Sequence, residues 1–331
     1  MGERGRRFRA GRLAVGTALV GSLAIGSSAA ATGSFATHPY LMAVLACRVA
    51  QCPNPATHQV FVLQSRDGLH WSRVPSWRPF PGSVPDLVRR GPIVYIYALS
   101  PGGPSGLTLI RVNELTGATT APFGVTIAGL RGSFVDPSVA LDASGRLILA
   151  GLVARGVGYD PAACPPPATS CTQSFDSATE IPGTNGTRFR LDPGTRATVA
   201  LSPAQPVASD PSLFAAGGQW AMEISLGASV VAGTSSTPRG TFRYVGSPSE
   251  GAGGVPSGYY DAVTHQYWTS ITAGAPNQPT VIRRAVSPSL TTTIPSDQWI
   301  TVVTSTTLGL GPGWSVQSPG FAPNVPRGPS P

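Results

Sequence analysis

Apolar residues come in short runs of about four to eight, rich in Val, Ile, Thr and aromatics, and 40 Gly and 34 Pro punctuate them. Almost nothing reads as helix; the pattern is that of many short strands at regular spacing. One unit recurs. It opens on X-Pro, a small or acidic residue and an apolar one, then turns into a strongly apolar strand. The copies are Val84-Pro85-Asp86-Leu87 before the run Ile93 to Leu99, Asp136-Pro137-Ser138-Val139 before Arg146 to Leu152, Asp210-Pro211-Ser212-Leu213 before Gln219 to Ser225, and Val255-Pro256-Ser257-Gly258 before Gln266 to Ile271. Hairpin signals separate the first two strands of each unit: Gly91, Ser144-Gly145, Gly217-Gly218 and Thr264-His265.

Further strands and outer turns follow each copy, so four strands repeat at a spacing of roughly 45 to 75 residues, the rhythm of propeller blades. A first blade is incomplete: Tyr40 to Cys47 resembles a second strand, His58 to Ser65 a third and Trp71 to Val74 a fourth. Its innermost strand is expected from the C-terminus, where Ser318-Pro319-Gly320-Phe321 repeats the opening signature; His38-Pro39 is the alternative opening. The predicted fold class is therefore all-β, a five-bladed propeller of four-stranded antiparallel blades closed by a C-terminal strand. A β-sandwich followed by a second β domain is the rival architecture.

The N-terminus sets the compartment. Arg4, Arg6, Arg7, Arg9 and Arg12 precede an apolar run from Leu13 to Ile25 and the small residues Ser27 to Ala31, the layout of a secretory signal peptide cleaved after Ala31. The glycine-broken run falls short of the roughly 20 residues a membrane span needs. Arg9 stands where a twin-arginine signal carries a bulky apolar residue, so ordinary secretion is expected. The domains are then 1–31 as signal peptide, 32–323 as propeller and 324–331 as a disordered Pro-rich tail.

Five of the 23 basic residues and one of the 15 acids leave with the leader, which reduces the excess charge to about +4. The remaining arginines are scattered without aromatic interleaving, which argues against nucleic acid as a partner. The mature chain keeps four cysteines as two close pairs, Cys47 with Cys52 and Cys164 with Cys171. In an exported protein such pairs read as disulfides, whereas a four-cysteine zinc site would use tighter knuckles.

The segment Val135 to Leu147, with its D-P-S-V opening, resembles the blade opening of five-bladed propeller glycosidases, the arabinanase and β-xylosidase family (glycoside hydrolase family 43). Ala232 to Phe242 resembles that family's outer turn, and Ser65-Arg66-Asp67-Gly68-Leu69-His70-Trp71 is similar to a turn common in such glycosidases and, distantly, to the sialidase Asp box. The resemblance implies hydrolysis by a base carboxylate in the first blade, a supporting Asp in a later D-P-S-V segment and an acid Glu at the next blade's opening. Asp136 matches the supporting Asp. Asp210 lies one residue from the acid's place, and the base has no counterpart at His38-Pro39 or Ser318-Pro319.

Independently of the resemblance, the first residues of innermost strands line a propeller's channel mouth, where Asp136 and Asp210 on neighbouring blades form a candidate carboxyl pair. Asp before Pro also accepts backbone hydrogen bonds at strand starts for purely structural reasons. Glu250, in the loop before the last blade, is a third catalytic candidate. Tyr259, Tyr260 and Trp268, with His38, are the candidate substrate-binding residues, although alternation packs about half of the aromatics between blades. Asp86 follows its Pro and is set apart from Asp136 by strand alternation; Trp71, Trp220 and Trp299 read as core. The four histidines lack metal-ligand spacing, and no nucleotide, serine-hydrolase or metalloprotease motif occurs. No cofactor or metal is expected. The expected partner is an extracellular glycan, bound or hydrolysed, or a protein ligand, with no membrane contact after leader removal and the protein a monomer.

Overall fold

The computed structural model describes residues 35, 38–100, 103–154, 171–202, 205–275 and 278–323. Five sheets, antiparallel but for one strand pair, surround a channel, and their innermost strands are Ser83–Arg90, Ser133–Leu141, Ala208–Ala216, Gly254–Asp261 and Trp314–Pro323. Helix among the described residues is confined to short 3-10 turns such as Val49–Gln51 and Pro55–Thr57. The C-terminal strand Trp314–Pro323 pairs with Tyr40–Arg48, which pairs in turn with Gln59–Ser65. Pro319 therefore opens the first blade and closes the ring, while His38-Pro39 leads into that blade's second strand. Closure gives the first blade its innermost strand and completes the ring.

The third blade departs from the expected four strands. Its sheet has six, because the Asp192-Pro193-Gly194 turn splits the outer layer into Arg188–Leu191 and Ala197–Leu201, both paired with Cys171–Glu180. Thr126–Ala128 then adds parallel to Arg188–Leu191. Of the cysteine pairs, Cys47 and Cys52 form a disulfide. Cys171 is disulfide-bonded, and Cys164 lies outside the described residues, as do the leader 1–31 and the tail 324–331.

Apolar side chains pack blade on blade. Leu41, Val60 and Val62 of the first blade meet Leu87, Val94 and Ile96 of the second; Tyr97 and Leu109 of the second meet Phe134 and Val139 of the third. Ile148 and Ala150 of the third meet Leu213 and Met222 of the fourth. Strand alternation thus serves two neighbours at once, which explains the near-continuous apolar runs of the sequence.

The recurring X-Pro unit is the hub of this assembly. In all five inner strands the residue before Pro has positive φ: Val84 at 44°, Asp136 at 51°, Asp210 at 48°, Val255 at 52° and Ser318 at 49°. Each lies where the strand register slips by a bulge. Proline is tolerated because the innermost edge faces the channel and needs no ladder donor there. The residue after Pro then reaches the next blade. The Val139 amide donates to Asp86 Oδ2 at 2.7 Å, the Leu213 amide to Ser138 Oγ at 2.9 Å and the Gly258 amide to Ser212 Oγ at 2.8 Å.

Where the ring closes, the residue after Pro is Gly320. A Cβ there would lie 2.5 Å from Asp86 Oδ1 and 2.7 Å from the Pro85 carbonyl oxygen. The larger Asp86 side chain occupies the space that glycine leaves. Gly320→Ala is accordingly expected to destabilise the fold by about 1–3 kcal/mol, the usual range for overpacking, read from the denaturant midpoint. An unchanged midpoint would show that the closing contact is slack.

Candidate functional site

The sequence-nominated residues fall at opposite ends of the channel. Inner strands run from the blade openings toward their hairpins, so Asp136, Asp210 and Glu250 stand at the opening end. His38, Tyr259, Tyr260 and Trp268 stand at the hairpin end.

At the opening end Asp136 and Asp210 line a cavity of about 20 Å³, together with Val84, Asp86, Val255 and Ser318. A space of that size holds about one water molecule. Asp136 is buried. Asp210 is half-buried and accepts from Ser209 Oγ at 2.6 Å; burial pushes its carboxyl up to about 6, against the pull of that hydrogen bond. Glu250 is exposed, with Thr293 Oγ1 donating at 3.4 Å. A groove of about 410 Å³ adjoins the cavity at Val255, lined by Gly254, Thr272, Gln278, Thr280 and Gln317 without an aromatic or a charge.

Past the hub, a cleft of about 630 Å³ opens at the hairpin end. Its walls carry Phe214, Trp220, Tyr259, Tyr260 and Phe321, with Leu141 and Pro323. Tyr259 is held edge-on against Trp268, with ring centroids 5.3 Å apart, and also packs on Phe321. Trp268 lies behind the wall, its ring covered by the Arg284 guanidinium at 3.7 Å. Arg284 in turn donates to the Gly68 carbonyl at 2.8 Å, anchoring the stack on the Asp67-Gly68 turn. Burial, then Arg66 and Arg89, hold the His38 ring below the usual histidine range, and the His38 carbonyl accepts from Arg89 Nη2.

The ionic groups of this cleft are already engaged. Arg89 donates to Glu114 and to the carbonyls of Pro39 and Ala322, stitching the second blade to the first. Asp142 accepts from Ser144 and Arg146. The cleft thus offers aromatic faces and apolar walls with few free polar groups, a surface suited to stacking on flat ligand faces.

Two residues of this geometry escape sequence reasoning. Trp220, read as core, is half-exposed on the cleft wall; its place just after the Gly217-Gly218 hairpin is the available signal. Glu223 is fully buried in the fourth blade, where it accepts from Thr269 Oγ1 at 2.6 Å while its Oε2 has no partner among the described residues. Burial pushes its carboxyl up to about 8 and that of Asp86 up to about 7.

The fold and these two ends define a five-bladed β-propeller with an aromatic cleft on one face. No protein-family model and no curated protein matches the chain. Among solved structures it is similar to glycoside hydrolase family 43 enzymes. One is an exo-1,5-α-L-arabinanase from a bovine ruminal metagenomic library, at 13% identity over 74% of this chain and 89% of that one, TM-score 0.47. Another is an α-L-arabinofuranosidase from Clostridium thermocellum, at 16% identity over 70% and 76%, TM-score 0.49. A third is an α-L-arabinanase from Cellvibrio cellulosa, at 13% identity over 76% and 93%, TM-score 0.43. At such identities the likeness concerns the fold and not the chemistry.

Three carboxyls with raised values give stability a definite pH sign. Asp86, Asp210 and Glu223 bind protons more tightly folded than unfolded, so their contribution is complete below about pH 4 and is lost as pH rises through about 6 to 8. The melting temperature is expected to fall from pH 5 to pH 8.5. Glu223→Gln, which mimics the protonated acid, should remove a share of that slope worth a few kcal/mol. A slope unaltered in this variant would mean that Glu223 is ionised in the folded protein.

Proposed function

We propose that this chain is a secreted, monomeric, glycan-binding propeller of glycoside-hydrolase-like fold that holds its ligand in the hairpin-end cleft and does not hydrolyse it. The observation that carries this reading is the separation of parts. A glycosidase needs its acid and its base on either side of the scissile bond, roughly 5 to 9.5 Å apart with the sugar between them. Here the carboxyl pair encloses about 20 Å³, while the aromatic wall suited to sugar faces lines a cleft of about 630 Å³ beyond the hub.

Hydrolysis is the second reading, and it is favoured by Asp210, whose raised carboxyl stands beside Asp136 on one wall as an acid–base pair would. Secretion is supported by the leader and by the Cys47–Cys52 disulfide.

A panel of neutral pentose and hexose oligosaccharides, assayed by calorimetry and for reducing ends, separates the two readings. Binding without turnover is expected, weakened about tenfold by Tyr260→Ala and unchanged by Asp136→Asn. Turnover that Asp136→Asn lowers by about 100-fold or more would make the protein a hydrolase instead. Mass spectrometry of the secreted protein is expected to find Thr32 at the N-terminus; a chain in the medium still beginning at Met1 would refute cleavage.

A further inference from the structure

A second cleft, of about 360 Å³, lies on the outer flank of the second blade near the hairpin end, lined by Ile93, Tyr95, Arg111, Asn113, Thr120 and Asn185 among others. Arg111 is its one charged lining residue. The contrast with its neighbours is informative. Arg89 pairs with Glu114 and Arg90 with Glu180, whereas no carboxylate among the described residues pairs with Arg111.

The guanidinium is held in place without a counter-ion. Its carbon lies 4.7 Å from the centroid of the Phe123 ring, and its Nε is buried with no hydrogen-bond partner among the described residues. Burying one guanidinium N–H without an acceptor costs free energy that the free site does not recover. Around it the cleft is neutral but rich in hydrogen-bonding groups. Asn113 spends its oxygen on the Leu115 and Thr116 amides, which leaves its NH2 free to donate. The Thr120 hydroxyl oxygen accepts from the Arg111 amide and keeps its own proton for a ligand. Asn185, at φ 49° in the turn between strands Cys171–Glu180 and Arg188–Leu191, presents a further amide to the cleft.

We propose that Arg111 is the anchor of a carboxylate-binding site, in which a small ligand bearing one carboxylate, such as an acidic sugar, docks its anion on the guanidinium fork. The Asn113 NH2 and the Thr120 hydroxyl donate to the same ligand. Planar, bidentate recognition of carboxylate is the geometry that arginine serves best. Ile93 and Tyr95 supply the apolar floor for the ligand's body. The site is separate from the aromatic cleft and does not depend on what that cleft binds.

The test titrates the full chain with sodium glucuronate and with glucose by ligand-observed NMR, with acetate as competitor. Wild type is expected to bind glucuronate about tenfold more tightly than glucose, the preference shrinking as salt is raised and as acetate is added. Arg111→Gln should abolish the preference and Arg111→Lys retain part of it, with both melting temperatures recorded to exclude unfolding. Tyr260→Ala should leave the preference intact, so that failure of glycan binding at the aromatic cleft is read separately. Equal affinity for the two sugars, or a full preference surviving in Arg111→Gln, would overturn the proposal.

Discussion

The whole assembly depends on how five inner strands are held around one axis. The solution is a proline at each inner edge, followed in three of the five strands by a short acceptor that takes an amide hydrogen from the next blade. Proline supplies no donor, so the edge facing the channel carries no unpaired N–H at that point. The bulge that accommodates it turns the chain enough for Asp86, Ser138 and Ser212 to reach sideways. The cost is backbone strain, most evident at Val84 and Val255, where a β-branched residue is held at positive φ. Five repeats of one strained bend persist only because blade packing on both sides over-determines them.

The same hub explains why the two ends of the channel differ. At the hub the inner strands are drawn together by inter-blade bonds, and the space left is that of a single water. Beyond it the strands run on toward their hairpins, Arg89 bridging to the Ala322 carbonyl at the seam, and a wide cleft opens. Carboxyls before the prolines are therefore confined by the feature that builds the fold. Aromatics near the hairpins, such as Tyr259 and Tyr260, escape that confinement.

The five-fold signature made the architecture legible. X-Pro followed by a small or acidic residue recurs at every inner strand, including Ser318-Pro319-Gly320, which joins the first blade from the far end of the chain. The extra strands of the third blade were not legible, because Thr126–Ala128 pairs across a long interval with Arg188–Leu191 and no local pattern encodes that contact. Side-chain direction was legible only where the strands are regular. Strand alternation sets Asp86 apart from Asp136, yet both line the small cavity, since the bulge inserts a residue and interrupts the period. Alternation likewise predicts that only one of Tyr259 and Tyr260 faces a given side. Both border the cleft because their strand ends there.

Aspartate before proline has a backbone reason to exist in this chain. Asp enters the left-handed region several-fold more readily than most residues, and the bend is made five times, by Val84, Val255 and Ser318 as well as by Asp136 and Asp210. Since three of the five positions form the hub without a carboxyl, the bend does not require one. The bend's tolerance for Asp in turn does not require chemistry. What distinguishes the two carboxyls is their shared cavity and the raised proton affinity of Asp210. Asparagine enters the left-handed region as readily as aspartate, so replacing Asp136 by Asn keeps the bend while it removes the charge and exchanges one acceptor oxygen for a donor. A loss of turnover without a change in melting temperature then reports on the carboxylate, whereas a fall in melting temperature reports on the hub.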